Sequence, residues 1–540
     1  MRSLVAGVYC IFVLSHEIPK GNASQILRVT TRLVQVHIVA LNKQGGLVRG
    51  LTRNDFTILD DGRVQEVSVF STESGKITLK PANSQPHNVF SNRMARAGDI
   101  PTNAVAILLD GAETRFSDSK IVRNAILKFL RGMPAGERVA LYALARRGRL
   151  SIIQDFTNNP SPLARAIRNY RGVSGAESDA PRKGGDHNVP LTGDKDAAAR
   201  LDAAMNDSPT SNRVDYPPMS PLSAIRDIAY RLSGLPGRKS IIWITDNVPH
   251  PGPLYFKNPS AVLGYEGNLS REERAIQQLI RILNQADVAV YPVDAHGLVV
   301  GPAKTGVVHG PDLTTLWPGE VWTLYMDYWA QQTGGRAFYY TNDIGGSIRQ
   351  VLEDTKEVYT LGFYPTGIAW NGQYHHIKVL VDRKDVKLRY RRGYYATGTP
   401  AHAMGDPVSM LADIASSSPL ESSVIGVTVR VDPIGNPQAH RFKATVYVEG
   451  RDLTFRSDNG RYDVSFLVWA GQYSKQGGLL EAKTSKASYK LTDGGYRSAL
   501  AGGLGLNLLE KADPKASELR IAVLDTASGT IGSVRIPLPQ

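Results

Sequence analysis

The chain has 540 residues, 42% apolar and 21% charged, with a formal net charge of +13 and a single cysteine, Cys10. That length predicts several domains, and that composition excludes a largely disordered or fibrous chain. The cysteine count excludes disulfide frameworks, thiolate zinc sites and a cysteine nucleophile in the body of the chain, and the absence of an apolar run of roughly 18–20 residues excludes a multi-pass membrane protein.

At the amino terminus Arg2 precedes the apolar run Leu4–Leu14, and Gly21-Asn22-Ala23 supplies a small-x-small sequence. Residues 1–23 therefore read as a signal peptide, which predicts a secreted or periplasmic protein with no integral membrane segment after cleavage. Residues 27–79 read as a β-sandwich-like module, with Leu33–Val39, Phe56–Leu59 and Val67–Phe70 as short strands and Asp60-Asp61-Gly62 as a turn. The polar stretch Lys80–Thr102 reads as a linker.

The pattern changes at Ala104. The run Ala104–Leu109 is continuously apolar, as in a strand covered on both faces, and so is Ser240–Ile244. Helical spacing follows at Ile121–Leu130, Leu222–Leu232, Ala275–Leu283, Leu324–Gln331 and Ile344–Leu352, with strands at Val139–Ala145, Leu150–Phe156, Val288–Val293 and Ala337–Tyr340. Strands alternating with helices predict an α/β domain with a doubly wound, mainly parallel sheet over residues 101–365. Residues 171–220 carry few large apolar side chains and read as an irregular insertion. Residues 366–400 read as a β-hairpin extension, and residues 422–540 as a C-terminal β-sandwich with turns at Asp458-Asn459-Gly460 and Asp493-Gly494-Gly495.

In an open parallel sheet, ligands bind beyond the carboxyl ends of the strands where strand order reverses. Asp110 ends the first buried strand and Asp246 follows the second. If those strands are neighbours, both carboxylates enter one crevice, and an oxygen-rich crevice of that kind suits Mg²⁺ or Ca²⁺.

In its motifs the whole chain resembles the bacterial exported proteins related to von Willebrand factor A, of the acidobacterial type. The resemblance rests on Gly50–Phe56, Asp60-Asp61-Gly62, Leu109-Asp110-Gly111, Gly237-Arg238-Lys239-Ser240, Val290–Asp294 and Tyr359–Tyr364, in that order. It implies an A-type domain whose metal-ion-dependent adhesion site is an Asp-x-Ser-x-Ser loop with a threonine and an aspartate from two further loops. Residue by residue, Asp110 matches the first aspartate, Thr114 the last hydroxyl and Asp246 the third-loop aspartate. Ala112 stands where a serine is expected, so the site is partly degenerate. Ser220 or Ser223 is available for the second loop, and Glu113 is a further carboxylate beside it.

Other signals carry less. Gly234–Ser240 has the wrong spacing for a phosphate loop and precedes a strand, so it reads as a tight turn. His375 and His376 are adjacent in a strand and point to opposite faces. The alternation in Lys387–Arg391 is that of a half-exposed strand, and the positive charge is scattered, which argues against nucleic acid. No G-x-S-x-G elbow and no H-E-x-x-H motif is present. The expectation is an exported protein-binding or scaffolding protein, not an enzyme, whose unidentified protein partner completes the coordination of a cation held by Asp110, Thr114 and Asp246. With the site empty, recognition would fall to the same crevice rim without metal, with the loop Phe116–Ser119 and the insertion as contributors. A metal-assisted hydrolase at the same crevice, with Asp110 or Glu113 as base, and a metal-free structural envelope component are the alternatives.

Overall fold

A computed structural model describes residues 33–538, except 74–75, 78–87, 94–99, 102–103, 113–115, 135–136, 146–147, 171–219, 250–270, 298–317, 398–410, 412–417, 436–440 and the single residues 149, 236, 369, 459 and 476. The signal-peptide segment and nearly all of the expected insertion lie outside the described residues.

The central sheet places its strands in the order Leu150–Thr157, Arg138–Leu144, Ala104–Asp110, Lys239–Thr245 and Val288–Asp294. The last four are parallel, and Leu150–Thr157 is an antiparallel edge. Phe338 adds a parallel bridge to Val293 beyond Val288–Asp294, where a full strand was expected. The chain moves outward from Ala104–Asp110 on one side, then returns to build the other side. Order therefore reverses between Ala104–Asp110 and Lys239–Thr245.

Both faces of the central strand are covered, which is why its sequence is apolar without alternation. Val105 and Ile107 share a core with Val122, Ile126 and Phe129 of the helix Phe116–Arg131 and with Ile348 of the helix Ile344–Asp354. Ala104, Ala106 and Leu108 share the opposite core with Ile228 of the helix Pro221–Leu232, Ile280 of Arg271–Gln285 and Trp329 of Pro318–Thr333. Phe116–Ser119, expected as a loop, form the first turn of the helix Phe116–Arg131.

The two ends of the chain's first half-module come from distant sequence. One four-stranded sheet orders Lys387–Arg389, Val34–Leu41, Val358–Phe363 and Val69–Glu73, and a second orders Gly393–Thr397, Asn371–Val381, Phe56–Asp60 and Arg63–Gln65. Between them Val36, Ile38, Ile58, Leu361, Phe363 and Ile377 form one core. The expected N-terminal module and the expected hairpin extension are thus one two-sheet body, and Val358–Phe363 belongs to it rather than to the α/β domain. Neither segment alone has two sheets to enclose a core, whereas their pairing buries both inner faces.

The C-terminal body also has two sheets around one core. Leu504–Lys511, Arg441–Val448, Val427–Pro433 and Val89–Ser91 form one, and Arg456–Asp458, Arg461–Ser474, Ala516–Asp525 and Ile531–Pro537 form the other, with Leu479–Leu491 along the second edge of Arg461–Ser474. Val89–Ser91 lies in the stretch expected to be a linker. Asn92 explains its capture: it is 1% exposed, its Nδ2 donates to the carbonyls of Ser422 (2.6 Å) and Ile425 (2.7 Å), and its Oδ1 accepts from the Val427 amide (2.9 Å). The turn expected at Asp493-Gly494-Gly495 is instead the start of the helix Asp493–Gly502, because the Thr492 hydroxyl caps the Gly495 amide at 3.3 Å.

Charged side chains join the three bodies. Arg231 of the α/β domain pairs with Asp155 (3.0 Å) and with Glu421 of the C-terminal body (2.8 Å). At the opposite junction His37 pairs with Asp287 (3.0 Å), and Arg389, expected on a half-exposed face, pairs with Asp354. Arg238, in the turn that superficially resembles a phosphate loop, is 2% exposed and donates to the Tyr291 hydroxyl at 3.2 Å.

Candidate functional site

Leu109 lies opposite Ile244 in the parallel ladder, so Asp110 is level with Thr245 and Asp246 is one residue further along. Asp110 and Asp246 therefore stand at the same end of adjacent strands, at the reversal of strand order. The helix Pro221–Leu232 runs back toward the start of Lys239–Thr245, so its N-cap, Ser220, is at this end of the sheet as well.

The side chains at this crest divide into two groups. Asp110 is 1% exposed, and its Oδ2 accepts from Trp243 Nε1 at 2.9 Å and from Thr245 Oγ1 at 3.1 Å. Trp243 is fully buried, edge-on to Trp329 at 5.8 Å. An indole N–H at that depth requires an acceptor, and a carboxylate makes it a charge-assisted bond. This face of Asp110 is thereby directed into the sheet.

Asp246 gathers with two residues that sequence reasoning did not select. Asp246, Asp294 and His296 each offer a ligand atom, all within 4.8 Å of one another. Asp294 is 2% exposed and ends the neighbouring strand Val288–Asp294; its Oδ1 accepts from the His296 amide at 3.0 Å and lies 2.8 Å from His296 Nδ1. His296 Nδ1 is 3.9 Å from Asp246 Oδ1, and its ring meets Trp322 edge-on at 6.2 Å. The available signal was the Asp-x-His ending of a buried strand, Asp294-Ala295-His296, which places an acid and an imidazole two residues apart at the crest.

Of the set implied by the family resemblance, the described residues include Asp110, Ser220, Ser223 and Asp246. Thr114 and Glu113 lie outside the described residues, Ala112 has no side-chain oxygen, and one oxygen of Asp110 is engaged by two donors within the sheet. Ser220 and Ser223 are occupied locally: Ser220 Oγ accepts from the Ser223 amide, and the two hydroxyls lie 3.2 Å apart. The group that is assembled, two carboxylates and an imidazole, suits a borderline ion such as Zn²⁺ better than Mg²⁺ or Ca²⁺, with Mn²⁺ between them.

A second group, Asp60, Asp61 and His375, has the same composition but lies in the first sandwich. Asp60 is 2% exposed, and its Oδ2 accepts from the Tyr394 hydroxyl at 2.8 Å. Burial pushes its carboxyl above the usual range, against the pull of Tyr394 and His375. Asp61 takes φ 44° in the turn and lies 2.9 Å from His375 Nδ1. These bonds account for the group as a hairpin brace. His376 is exposed and His375 half-buried, on opposite faces as their adjacency requires.

No helix among the described residues is long and apolar enough to cross a membrane. No protein-family model matches the chain, and no curated protein matches it. Among solved structures it is similar to an aerotolerance-related membrane protein from Bacteroides fragilis NCTC 9343 (12% identity, 47% of this chain and 98% of that chain, TM-score 0.26). It is also similar to BatB from Bacteroides thetaiotaomicron (13% identity, 47% and 98%, TM-score 0.21). A third neighbour comprises the three N-terminal domains of the type V pili tip protein Mfa5 from Porphyromonas gingivalis (11% identity, 68% and 75%, TM-score 0.23). At these scores the likeness carries no inference about function.

Proposed function

We propose that this chain is an exported binding or scaffolding protein whose A-type α/β domain meets a protein partner at the crest formed by Asp246, Asp294 and His296. The strand order, with its antiparallel edge and its reversal beside Asp110, supports the A-type reading. The observation that carries the proposed site is the convergence of two buried carboxylates and an imidazole on adjacent strand ends. A divalent cation held there would have positions left for a carboxylate of the partner, and Asp110 would act by bracing Trp243 and Thr245 beneath it. Recognition of this kind is lost on chelation.

The test is calorimetric titration of the full chain with Zn²⁺, Mn²⁺, Mg²⁺ and Ca²⁺, repeated with His296→Ala. Saturable heat that His296→Ala removes supports the proposal. Heat that His296→Ala leaves unchanged, or none with any ion, rejects the cation-dependent site.

A further inference from the structure

At the other end of the sheet, where the first sandwich meets the α/β domain, the chain encloses a cleft of about 310 Å³. Arg281 and Asn284, from the last turns of the helix Arg271–Gln285, line one side; Gln35, Trp370, Arg391 and Tyr395 of the sandwich line the other. We infer that this cleft is a binding site for a small organic carboxylate of about monosaccharide size, and that it is independent of the crest.

The cleft presents donors in excess of acceptors. Arg281 places its guanidinium over the Tyr395 ring, 5.0 Å from the centroid, and among the described residues it has neither a carboxylate partner nor a hydrogen bond to its buried Nε. Arg391 donates through Nη2 to the Gln35 carbonyl at 2.6 Å, while its Nε is buried without a partner among the described residues. Asn284 Nδ2 is in the same condition. The donor offered to a ligand is the rest of the Arg281 guanidinium, which lines the cleft and has no carboxylate partner among the described residues.

The negative groups at the cleft already have partners. The carboxylate in the cleft, Asp287, is already paired with His37 at 3.0 Å. The helix Arg271–Gln285 ends here, and its C-terminal carbonyls would repel an anion. Arg391 Nη1 meets one of them, Asn284 O, at 3.4 Å, which leaves the Arg281 guanidinium for a ligand. Burial lowers the Arg391 pKa from its ordinary value, against the nearby Asp287 charge, so an added anion would restore a stabilising partner.

Shape selects within anions. Guanidinium and amide donors are planar and match a carboxylate through paired N–H bonds. Trp370, Tyr394 and Tyr395 also line the cleft and give it apolar surface that an organic body can contact and inorganic phosphate cannot. The volume lies at the low end of the roughly 300–1,000 Å³ typical of small-molecule sites.

The test uses the full chain, with glucuronate and benzoate as probes and glucose, benzamide and inorganic phosphate as controls, by calorimetry and thermal shift. At least one carboxylate is expected to bind tenfold or more tightly than its uncharged counterpart. Arg281→Gln should weaken it at least tenfold while lowering the unfolding temperature of the unliganded chain by only about 1–3 °C, the loss of the contact with Tyr395, and Arg281→Lys should retain part of the affinity. Trp370→Leu should weaken the same probe. Binding of neither carboxylate, phosphate binding as tightly as either, or affinity unaltered by Arg281→Gln would each overturn the assignment. The crest is untouched by these variants, so failure here leaves the cation titration intact.

Discussion

Replacing Asp110 separates its role from that of Asp246. Asp110→Ala removes the acceptor for the fully buried Trp243 indole, and it removes one of two acceptors for Thr245, whose single proton also reaches the Asn247 carbonyl at 2.8 Å. A buried donor left without a partner costs about 1–3 kcal/mol, and the lost charge-assisted bonds and vacated volume bring the total to about 3–5 kcal/mol. For a domain of this size that corresponds to a fall in unfolding temperature on the order of 10 °C. Asp110→Asn keeps an amide oxygen for the indole and should cost only about 1–2 kcal/mol. Asp246→Asn should change stability less than Asp110→Ala, yet remove the cation response. The assay is guanidinium unfolding followed by circular dichroism and tryptophan fluorescence, with the α/β transition assigned by its dependence on Trp243→Phe. A loss below about 1 kcal/mol for Asp110→Ala, or equal losses for Ala and Asn, would refute the bracing role.

Asn92→Ala should destabilise the C-terminal body by about 2–4 kcal/mol, because two buried carbonyls and an amide lose their partner; a urea transition unchanged from wild type would contradict the tie to Val89–Ser91. Glu518 provides a pH test. Burial pushes its carboxyl up, but hydrogen bonds and charges from Arg535 and Arg520 outweigh burial and hold it below the ordinary 4.5. Its contribution is therefore present above pH 4.5 and is lost as pH falls through the lower folded value. Glu518→Gln should cost about 1–2 kcal/mol at pH 7, and melting curves of the two proteins should converge toward pH 2–3; a constant gap would show that the charge is not the cause.

The parallel sheet was legible because burial on both faces leaves a physical imprint in local sequence: Ala104–Leu109 and Ser240–Ile244 have no polar alternation. The pairing of the first sandwich was not legible. Val34 and Phe363 face each other across more than three hundred residues, and nothing in the alternation of either strand specifies a distant partner. Asn92 was hidden for a related reason, since a polar residue in a polar stretch looks like linker until its three backbone partners are known. At Asp493-Gly494-Gly495 turn chemistry and helix capping use the same residue types, and Thr492 decides for the helix. At the crest, strand ends located Asp110 and Asp246, but side-chain direction did not follow from position. Asp110 turns inward to an indole, while Asp246 meets an imidazole contributed by the next strand end.

Titration of the intact protein with Zn²⁺ and Mn²⁺, beside Asp246→Asn and His296→Ala, bears most directly on recognition at the crest. The expected result is one ion bound per chain, its affinity reduced at least tenfold by either substitution and abolished by chelator. Wild-type binding of no ion, or affinity unchanged by both substitutions, would contradict a coordination site between the ends of Lys239–Thr245 and Val288–Asp294.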